Sequence, residues 1–315
     1  MTLDTPPLPR PELLNALARA IGEHARPFLE TLPEPELRYL AARPDLRARY
    51  AAPGRGPGVM LWEMSTVARG EQALAEIVAV APVDWPQARA LDIGCGDAGF
   101  VIALARRGAR AHGLDNCPGN LDGARLRGRA WQIPLHLALG AAGALPHRDA
   151  SFDVVTCGDV LEHVPDRAAA LREIARVLKP GGLLWLAAPT RFRLPFLWRD
   201  PHYGFFGVAL LPRRAAAWYL ARIRRALPSP NHYEVERLPT YGETIAALRR
   251  LQFEILAGEY RQLAALREPT RIQNRWKKAL VRACLKLGLR RPTAALLAAA
   301  AELTHPIRLV CRKGK

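Results

Sequence analysis

The sequence predicts an α/β fold, a doubly wound and mostly parallel sheet with helices on both faces. From Ala90 to Pro189, apolar strand-like runs alternate with helical patterns, which is typical of parallel sheets. The first run leads straight into a glycine-rich turn, Leu91–Phe100, from which a helix starts near Ala98. Later apolar runs at Phe253–Leu256 and Ile307–Val310 supply candidates for the last two strands. Ligands of such sheets bind at the carboxyl ends of the strands, so the turn marks the expected site.

The glycine-rich turn by itself allows two classes of cofactor. Gly94 and Gly96 carry no side chain, so the backbone can approach a ligand closely and adopt positive φ. The spacing Gly94-x-Gly96-x-x-Gly99, with Asp115 downstream, fits a dinucleotide fingerprint. Asp92 favours the other class, because a carboxylate repels a pyrophosphate and attracts the cationic amino group and sulfonium of S-adenosylmethionine. Asp97 is a candidate N-cap for the helix.

Two further apolar runs end in acidic residues, as the first one does. Arg110–Asp115 is predicted as the second strand, and an acid at its end can accept both hydroxyls of a ribose. Phe152–Asp159 is predicted as a later strand. After it, Gly181 and Gly182 are predicted to end a helix, and Leu183–Ala187 begins another strand.

Four segments of this half resemble the class I S-adenosylmethionine-dependent methyltransferases, in order and in spacing. The segments are LDIGCGDAGF (91–100), GLDN (113–116), LPHRDASFDVVTCGDVLEHV (145–164) and LKPGGLLWLAAP (178–189). The chain looks most like the broad small-molecule group that includes the ubiquinone and menaquinone biosynthesis methyltransferases. The resemblance implies a seven-stranded, Rossmann-like sheet and S-adenosyl-L-methionine as cofactor.

The resemblance assigns seven cofactor contacts, which follow the first, second and fourth strands: Asp92, Gly94, Gly96, Asp115, Asn116, Gly158 and Asp159. The first three would line the methionine end, Asp115 the ribose and Asn116 the adenine, and the last two would close the methionine side. The sequence departs from the family at Ala141, where an acid often binds the adenine amino group. Adenine recognition would then rest on backbone groups or on another side chain.

Two histidines are candidates for a general base. His163 follows the fourth strand, and His202 lies in segment 191–235, which holds nine aromatic residues and is predicted as a lid over the substrate mouth. Imidazole titrates near neutral pH and can accept a proton from a hydroxyl or amine acceptor. Each histidine also has a structural interpretation, as a helix-start residue for His163 and as part of a lid turn for His202.

The predicted organisation has three parts. Residues 1–88 form a helical N-terminal extension broken by prolines, with one amphipathic helix over Leu61–Ala81. Residues 89–190 and 236–315 form the methyltransferase domain, and 191–235 form the lid.

Five cysteines without metal-type spacing indicate no metal site and suit a reducing cytoplasm. We expect a cytoplasmic protein, because the start lacks a signal-peptide pattern and no run is long enough to span a bilayer.

The net charge of +17 is concentrated outside the cofactor half. Residues 1–190 balance 21 basic against 21 acidic side chains, whereas residues 261–315 carry 14 against 2. Residues 191–235 add 8 against 2, so an anionic partner is a reasonable expectation. Arg275–Leu289 has the pattern of a basic amphipathic helix, which either packs on the sheet or brings 271–303 to an anionic membrane surface.

These observations leave three functional hypotheses. The first is an enzyme that methylates a hydroxyl or amine of a small-molecule, lipid-linked or glycan-linked acceptor by in-line displacement. The second is an RNA methyltransferase whose basic segments hold phosphates. The third is a scaffold that binds the cofactor without turnover, to which only Ala141 points.

Overall fold

The computed structural model describes most of the chain. The described residues are 8–52, 57–191, 206, 208, 211, 213–224, 238–258, 279, 282–283, 286–288 and 306–314. The chain divides into two compact units, Met1–Pro146 with Ser151–Thr156 and His147–Ala150 with Cys157–Lys315. The domain boundaries inferred from the sequence remain predictions. Within the described residues, no helix is both long enough and apolar enough to cross a membrane.

The first unit begins with short helices that start at prolines. Their bounds are α1 Arg10–Ile21, α2 Arg26–Leu29, α3 Glu34–Ala41, α4 Pro44–Ala51, α5 Pro57–Met64 and α6 Thr66–Val78. The first four each carry a proline in the first two helical positions, where the missing N–H costs nothing. They share a core that includes Leu13, Leu17, Leu37 and Leu40. The helical N-terminal region expected from the sequence is therefore present.

The expected single helix over Leu61–Ala81 is wrong, because the chain breaks at Ser65. Helix α5 ends at Met64 and α6 begins at Thr66. The Ser65 hydroxyl donates to the Trp62 carbonyl at 3.2 Å, and such local side-chain bonds compete with helical ones.

The sheet confirms the predicted fold class. Within the described residues it has seven strands in the order β3-β2-β1-β4-β5-β7-β6. Their bounds are β1 Arg89–Ile93, β2 Arg110–Asp115, β3 His136–Leu139, β4 Phe152–Gly158, β5 Leu178–Ala188, β6 Phe253–Gly258 and β7 Ile307–Lys313. Strand β2 pairs in parallel with both β1 and β3, whereas β7 pairs antiparallel with both β5 and β6. The two late apolar runs are strands, as predicted.

Further helices lie between the strands along the chain. They are α7 Gly99–Arg106, α8 Pro118–Trp131, α9 Arg167–Val177, α10 Arg213–Arg224 and α11 Tyr241–Arg250. Thr240 and Glu243 form a reciprocal capping box at the start of α11. The expectation that Gly181 and Gly182 end a helix is wrong, because α9 stops at Val177 and both glycines lie within β5. Pro180 has no N–H to continue the helix, so the chain runs on extended.

Much of the predicted lid and of the basic C-terminal helix lies outside the described residues. Of the lid aromatics, Phe206, Trp218 and Tyr219 are described; the first two are 60% and 66% exposed, and Tyr219 is half-buried. Within 271–303, the described residues at 279, 282–283 and 286 are helical, and Leu287 is 73% exposed. The lid and the membrane contact remain predictions.

Candidate active site

The glycine-rich turn joins β1 to α7 through a series of left-handed residues. Gly94, Gly96 and Ala98 have φ values of 68°, 52° and 66°. The N–H groups of Gly94 and Cys95 both donate to the Leu114 carbonyl, at 2.7 and 2.9 Å, which ties the turn to β2. Ala98 occupies a conformation that only glycine adopts without cost, so the surrounding contacts must hold it there.

The glycines of the turn differ in what surrounds them. A Cβ placed on Gly96 would meet nothing within 4 Å, so this residue faces open space. A Cβ placed on Gly99 would lie 2.7 Å from the Thr66 carbonyl carbon of α6. Gly96 therefore leaves room for a ligand, whereas Gly99 allows two helices to pack closely.

Asp115 fixes the turn from the end of β2. One carboxylate oxygen accepts from the Gly96 N–H at 2.9 Å. The other accepts from the Cys117 N–H at 2.9 Å and from the Asn120 side chain at 3.1 Å. The side chain is buried, and it lies next to the residue that faces open space. This is the position from which a carboxylate could accept ribose hydroxyls.

Asp92 is a buried carboxylate at the end of β1. It is 4% exposed and accepts a hydrogen bond from the Thr156 hydroxyl at 2.7 Å. Its pKa is raised to about 7, because burial and, to a smaller extent, the charge of Asp115 raise it by more than the Thr156 hydrogen bond lowers it. A cation brought to this carboxylate would offset the cost of its burial, whereas an anionic pyrophosphate would add to that cost.

Asn116 and Ala141 were the residues expected near the adenine. Asn116 is exposed, directly after the buried Asp115. Ala141 lies in a tight turn in which the Ala144 N–H donates to its carbonyl at 3.1 Å. Its backbone carbonyl accepts this one bond and keeps a second lone pair, so the turn offers a backbone acceptor but no acidic side chain at this position.

Asp97 does not cap α7. The cap position is Ala98, which makes no side-chain capping bond. The Asp97 carboxylate instead lies 2.7 Å from the Arg127 guanidinium of α8. This ion pair joins residues far apart in the sequence, and the local pattern gave no sign of it.

In the second unit, Gly158 ends β4 and Asp159 follows it with a φ of 56°. The Asp159 N–H donates to the Ala187 carbonyl of β5 at 3.0 Å. Their cofactor roles remain predictions.

Glu162 is a site candidate that the sequence reasoning missed. It lies in a short 3-10 turn, Leu161–His163, and is 2% exposed. Within the described residues, its Oε2 atom has no hydrogen-bond partner. Burial and the charge of Asp159 raise its pKa to about 8, so the carboxyl is largely neutral at pH 7. The apolar neighbours Leu161 and Val164 were a signal that this turn packs inward.

Of the two histidine candidates, only His163 lies within the described residues. The His163 imidazole is 33% exposed, and its Nε2 lies 4.0 Å from a Glu162 carboxylate oxygen. An imidazole next to a buried carboxyl can exchange a proton, so this pair could assist proton removal. His202 lies outside the described residues. Among the residues that the structure covers, no group of acidic, histidine and cysteine side chains could hold a metal ion.

Comparison with known proteins agrees with this chemistry. Residues 91–186 match the family described as a methyltransferase domain. A ubiquinone biosynthesis O-methyltransferase of Xanthomonas oryzae pv. oryzae (strain PXO99A) is 35% identical over 181 residues, 56% of this chain and 68% of the relative. The chain belongs to the S-adenosylmethionine-dependent methyltransferase family. The protein is therefore a methyltransferase, and S-adenosylmethionine is its cofactor.

Other relatives of the methyltransferase share less of their length or sequence with it. A ubiquinone biosynthesis O-methyltransferase of Hahella chejuensis is 37% identical over 134 residues, 42% of this chain and 56% of the relative. An S-adenosylmethionine-dependent methyltransferase structure from Mesorhizobium loti is 21% identical, with a TM-score of 0.47. That likeness covers 76% of this chain and 96% of the other.

The turn of the methyltransferase fits its cofactor. The open space at Gly96 gives the donor room to approach the backbone, and buried Asp92 matches a cationic amino group. Helix α7 begins at this turn, and the positive end of a helix dipole suits an anionic carboxylate.

Proposed function

We propose that this methyltransferase transfers a methyl group to a hydroxyl of a small, ring-bearing acceptor. The observation that carries the proposal is the 35% identity with a protein named ubiquinone biosynthesis O-methyltransferase. A lipid-linked acceptor is compatible with that name, and the net charge of +17 would favour an acceptor with anionic groups.

The donor supplies a methyl group that is already activated on a sulfonium, so the protein mainly binds and aligns. In the proposal, Asp92, Gly94 and Gly96 hold the methionine end, and Asp115 holds the ribose. Asn116 lies at the adenine, and Gly158 with Asp159 closes the methionine side. Placing the acceptor oxygen about 3 Å from the methyl group, in line with the bond that breaks, can lower the barrier by several kcal/mol.

The acceptor hydroxyl also has to lose its proton. We assign this step to His163, because its imidazole is partly exposed and lies beside Glu162. The Glu162 carboxyl, largely neutral at pH 7, would lie beside this base. His202 is the second candidate for the same role, from the predicted lid.

A transfer assay with labelled S-adenosylmethionine tests the proposal. We expect label in a ring-bearing, lipid-linked hydroxyl compound and not in RNA, in a glycolipid or in anionic phospholipid vesicles. Entry of label into RNA alone would contradict the proposal and favour the RNA methyltransferase hypothesis. His163→Ala should lower kcat at least tenfold with an unchanged Kd for S-adenosylhomocysteine. Full activity of that variant from pH 6 to 9 would exclude His163 as the base.

A further inference from the structure

Arg127 is the most deeply buried charged side chain near the cofactor turn. It lies on α8 and is 0% exposed. Its Nε and Nη2 atoms donate to the two Glu36 oxygens at 3.0 and 2.7 Å, and its Nη1 lies 2.7 Å from an Asp97 oxygen. One guanidinium therefore connects helix α3 to the glycine-rich turn.

Further polar groups complete this arrangement, which we name the Arg127 cluster: Arg127, Glu36, Asp97, Tyr39, Thr66 and Trp131. The Trp131 indole donates to Glu36 at 2.8 Å. The Tyr39 hydroxyl donates to the second Asp97 oxygen at 3.3 Å. Arg127 also donates to the Thr66 hydroxyl. Both Asp97 oxygens are thus held by groups that lie outside the turn.

Burying a charged arginine requires well-placed partners. Desolvation disfavours the cation, but Asp97 and Glu36 outweigh it and raise the pKa of Arg127. Buried ion pairs of this kind rarely add net stability over apolar packing of the same volume, whereas removal of one partner is strongly destabilising. A buried ion pair is therefore not needed for stability at this place, and what it adds is a fixed position for both Asp97 oxygens.

The position of Asp97 shows what that geometry controls. Asp97 lies between Gly96 and Ala98, which both have positive φ. Asp115 holds the Gly96 N–H from β2, and Arg127 holds the next residue from α8. We propose that Arg127 is a positioning residue, which acts through Asp97 to keep the turn in the conformation that binds the methyl donor. Helix α3 then supports the cofactor site through Glu36 and Tyr39.

The chain contains a matched control for this cluster. Glu63 accepts from the Arg49 guanidinium at 2.6 Å and from the Tyr50 hydroxyl at 2.7 Å. Asp97 likewise binds one arginine and one tyrosine, and the Asp97 and Glu63 side chains are 25% and 29% exposed. Only Asp97 belongs to the turn, so paired substitutions separate an effect on the site from a general loss of stability.

The experiment measures the Kd of S-adenosylhomocysteine, the KM of the donor and the free energy of unfolding in the full chain. We expect Asp97→Asn to raise Kd and KM about tenfold or more with a smaller change in kcat, and Glu63→Gln to change Kd less than twofold. Equal Kd values for Asp97→Asn and wild type would overturn the inference. Equal weakening by both variants would overturn it too.

Three further variants leave Asp97 unchanged, so they test the cluster without altering a residue that could touch the donor. None of them removes a buried charge. Tyr39 is 0% exposed and cannot touch the ligand, and Tyr50 is 3% exposed. Tyr39→Phe should raise the Kd about threefold, Arg127→Lys about tenfold, and Tyr50→Phe not at all. Normal binding by Tyr39→Phe and Arg127→Lys would show that Asp97 acts by itself, and the proposed role of Arg127 would fall.

The role of Arg127 rests on the proposed donor position at the turn. The variant Asp115→Ala tests that position separately from the role of Arg127. Normal S-adenosylhomocysteine binding by Asp115→Ala would contradict the donor position itself. Weak binding by Asp115→Ala together with normal binding by Asp97→Asn and Arg127→Lys would contradict only the role of Arg127.

Discussion

The Thr156 hydroxyl donates a 2.7 Å hydrogen bond to the Asp92 carboxylate, across the neighbouring ends of β4 and β1. Thr156 is 0% exposed and Asp92 is 4% exposed, so this bond stabilises the charged form of an almost fully buried carboxylate. The pKa of Asp92 nevertheless stays near 7 because of its burial. Asp92, the proposed contact for the donor's cationic amino group, therefore has a pKa near neutral pH.

Donor affinity should rise with pH. The ligand's cationic amino group favours the Asp92 carboxylate, so binding releases a proton below pH 7 and the affinity increases as the pH rises through 7. Calorimetry with S-adenosylhomocysteine from pH 5.5 to 8 should show this midpoint. Thr156→Val should move it to higher pH, because it removes the hydrogen bond that lowers the Asp92 pKa. An affinity that is flat with pH would contradict the assignment of Asp92.

Alanine substitutions at Gly96 and Gly99 should have different effects, the first mainly on donor affinity and the second mainly on stability. Gly96→Ala meets no neighbour within 4 Å, so we expect about 1 kcal/mol of destabilisation from its φ of 52° and at least a tenfold loss of donor affinity. Gly99→Ala would press against Thr66 of α6, so we expect a loss of about 2 kcal/mol or more. Chemical denaturation and ligand calorimetry test both. The reverse ranking of stability losses would refute this division of roles.

Asp115 should contribute to donor binding both directly and through the turn. Asp115→Ala removes an acceptor for ribose hydroxyls and releases the Gly96 N–H, so Kd for S-adenosylhomocysteine should rise about tenfold or more. Asn120→Ala is the control, because it removes one donor to Asp115 and keeps the carboxylate. We expect it to change Kd less than threefold. An unchanged Kd for Asp115→Ala would show that the ribose lies elsewhere.

Glu162 should make the stability of the protein fall with pH. Its pKa rises from 4.5 to about 8 on folding, so the folded state holds an extra proton between those values. The stability that comes from binding this proton is fully present below pH 4.5 and is lost as the pH rises through 8. As the pH rises through that window, the free energy of unfolding of Glu162→Gln should therefore increase relative to that of wild type by up to about 1.4 kcal/mol per pH unit. Glu254→Gln, which removes a carboxylate that is 68% exposed, is the control for the loss of a surface charge, and urea unfolding at each pH measures both variants. A stability difference between Glu162→Gln and wild type that does not change with pH would contradict the buried neutral carboxyl.

The strand positions and the cofactor class followed from the sequence because their signals are local. Apolar runs that end in Asp92 and Asp115 place both acids at strand ends, and the structure has them there. Gly99 and Asp97 were harder, because their partners Thr66 and Arg127 lie on other helices. Arg127 and Glu36 are 91 residues apart, and an arginine in a chain of net charge +17 gives no sign of being buried. Such contacts depend on how helices pack and not on the local pattern.

The most direct test of the central claim is a crystal structure of the methyltransferase with S-adenosylhomocysteine. We predict that the ligand lies against Gly96, with its ribose hydroxyls on Asp115 and its amino group close to Asp92. Density for the ligand at another place, with the turn left empty, would contradict the account.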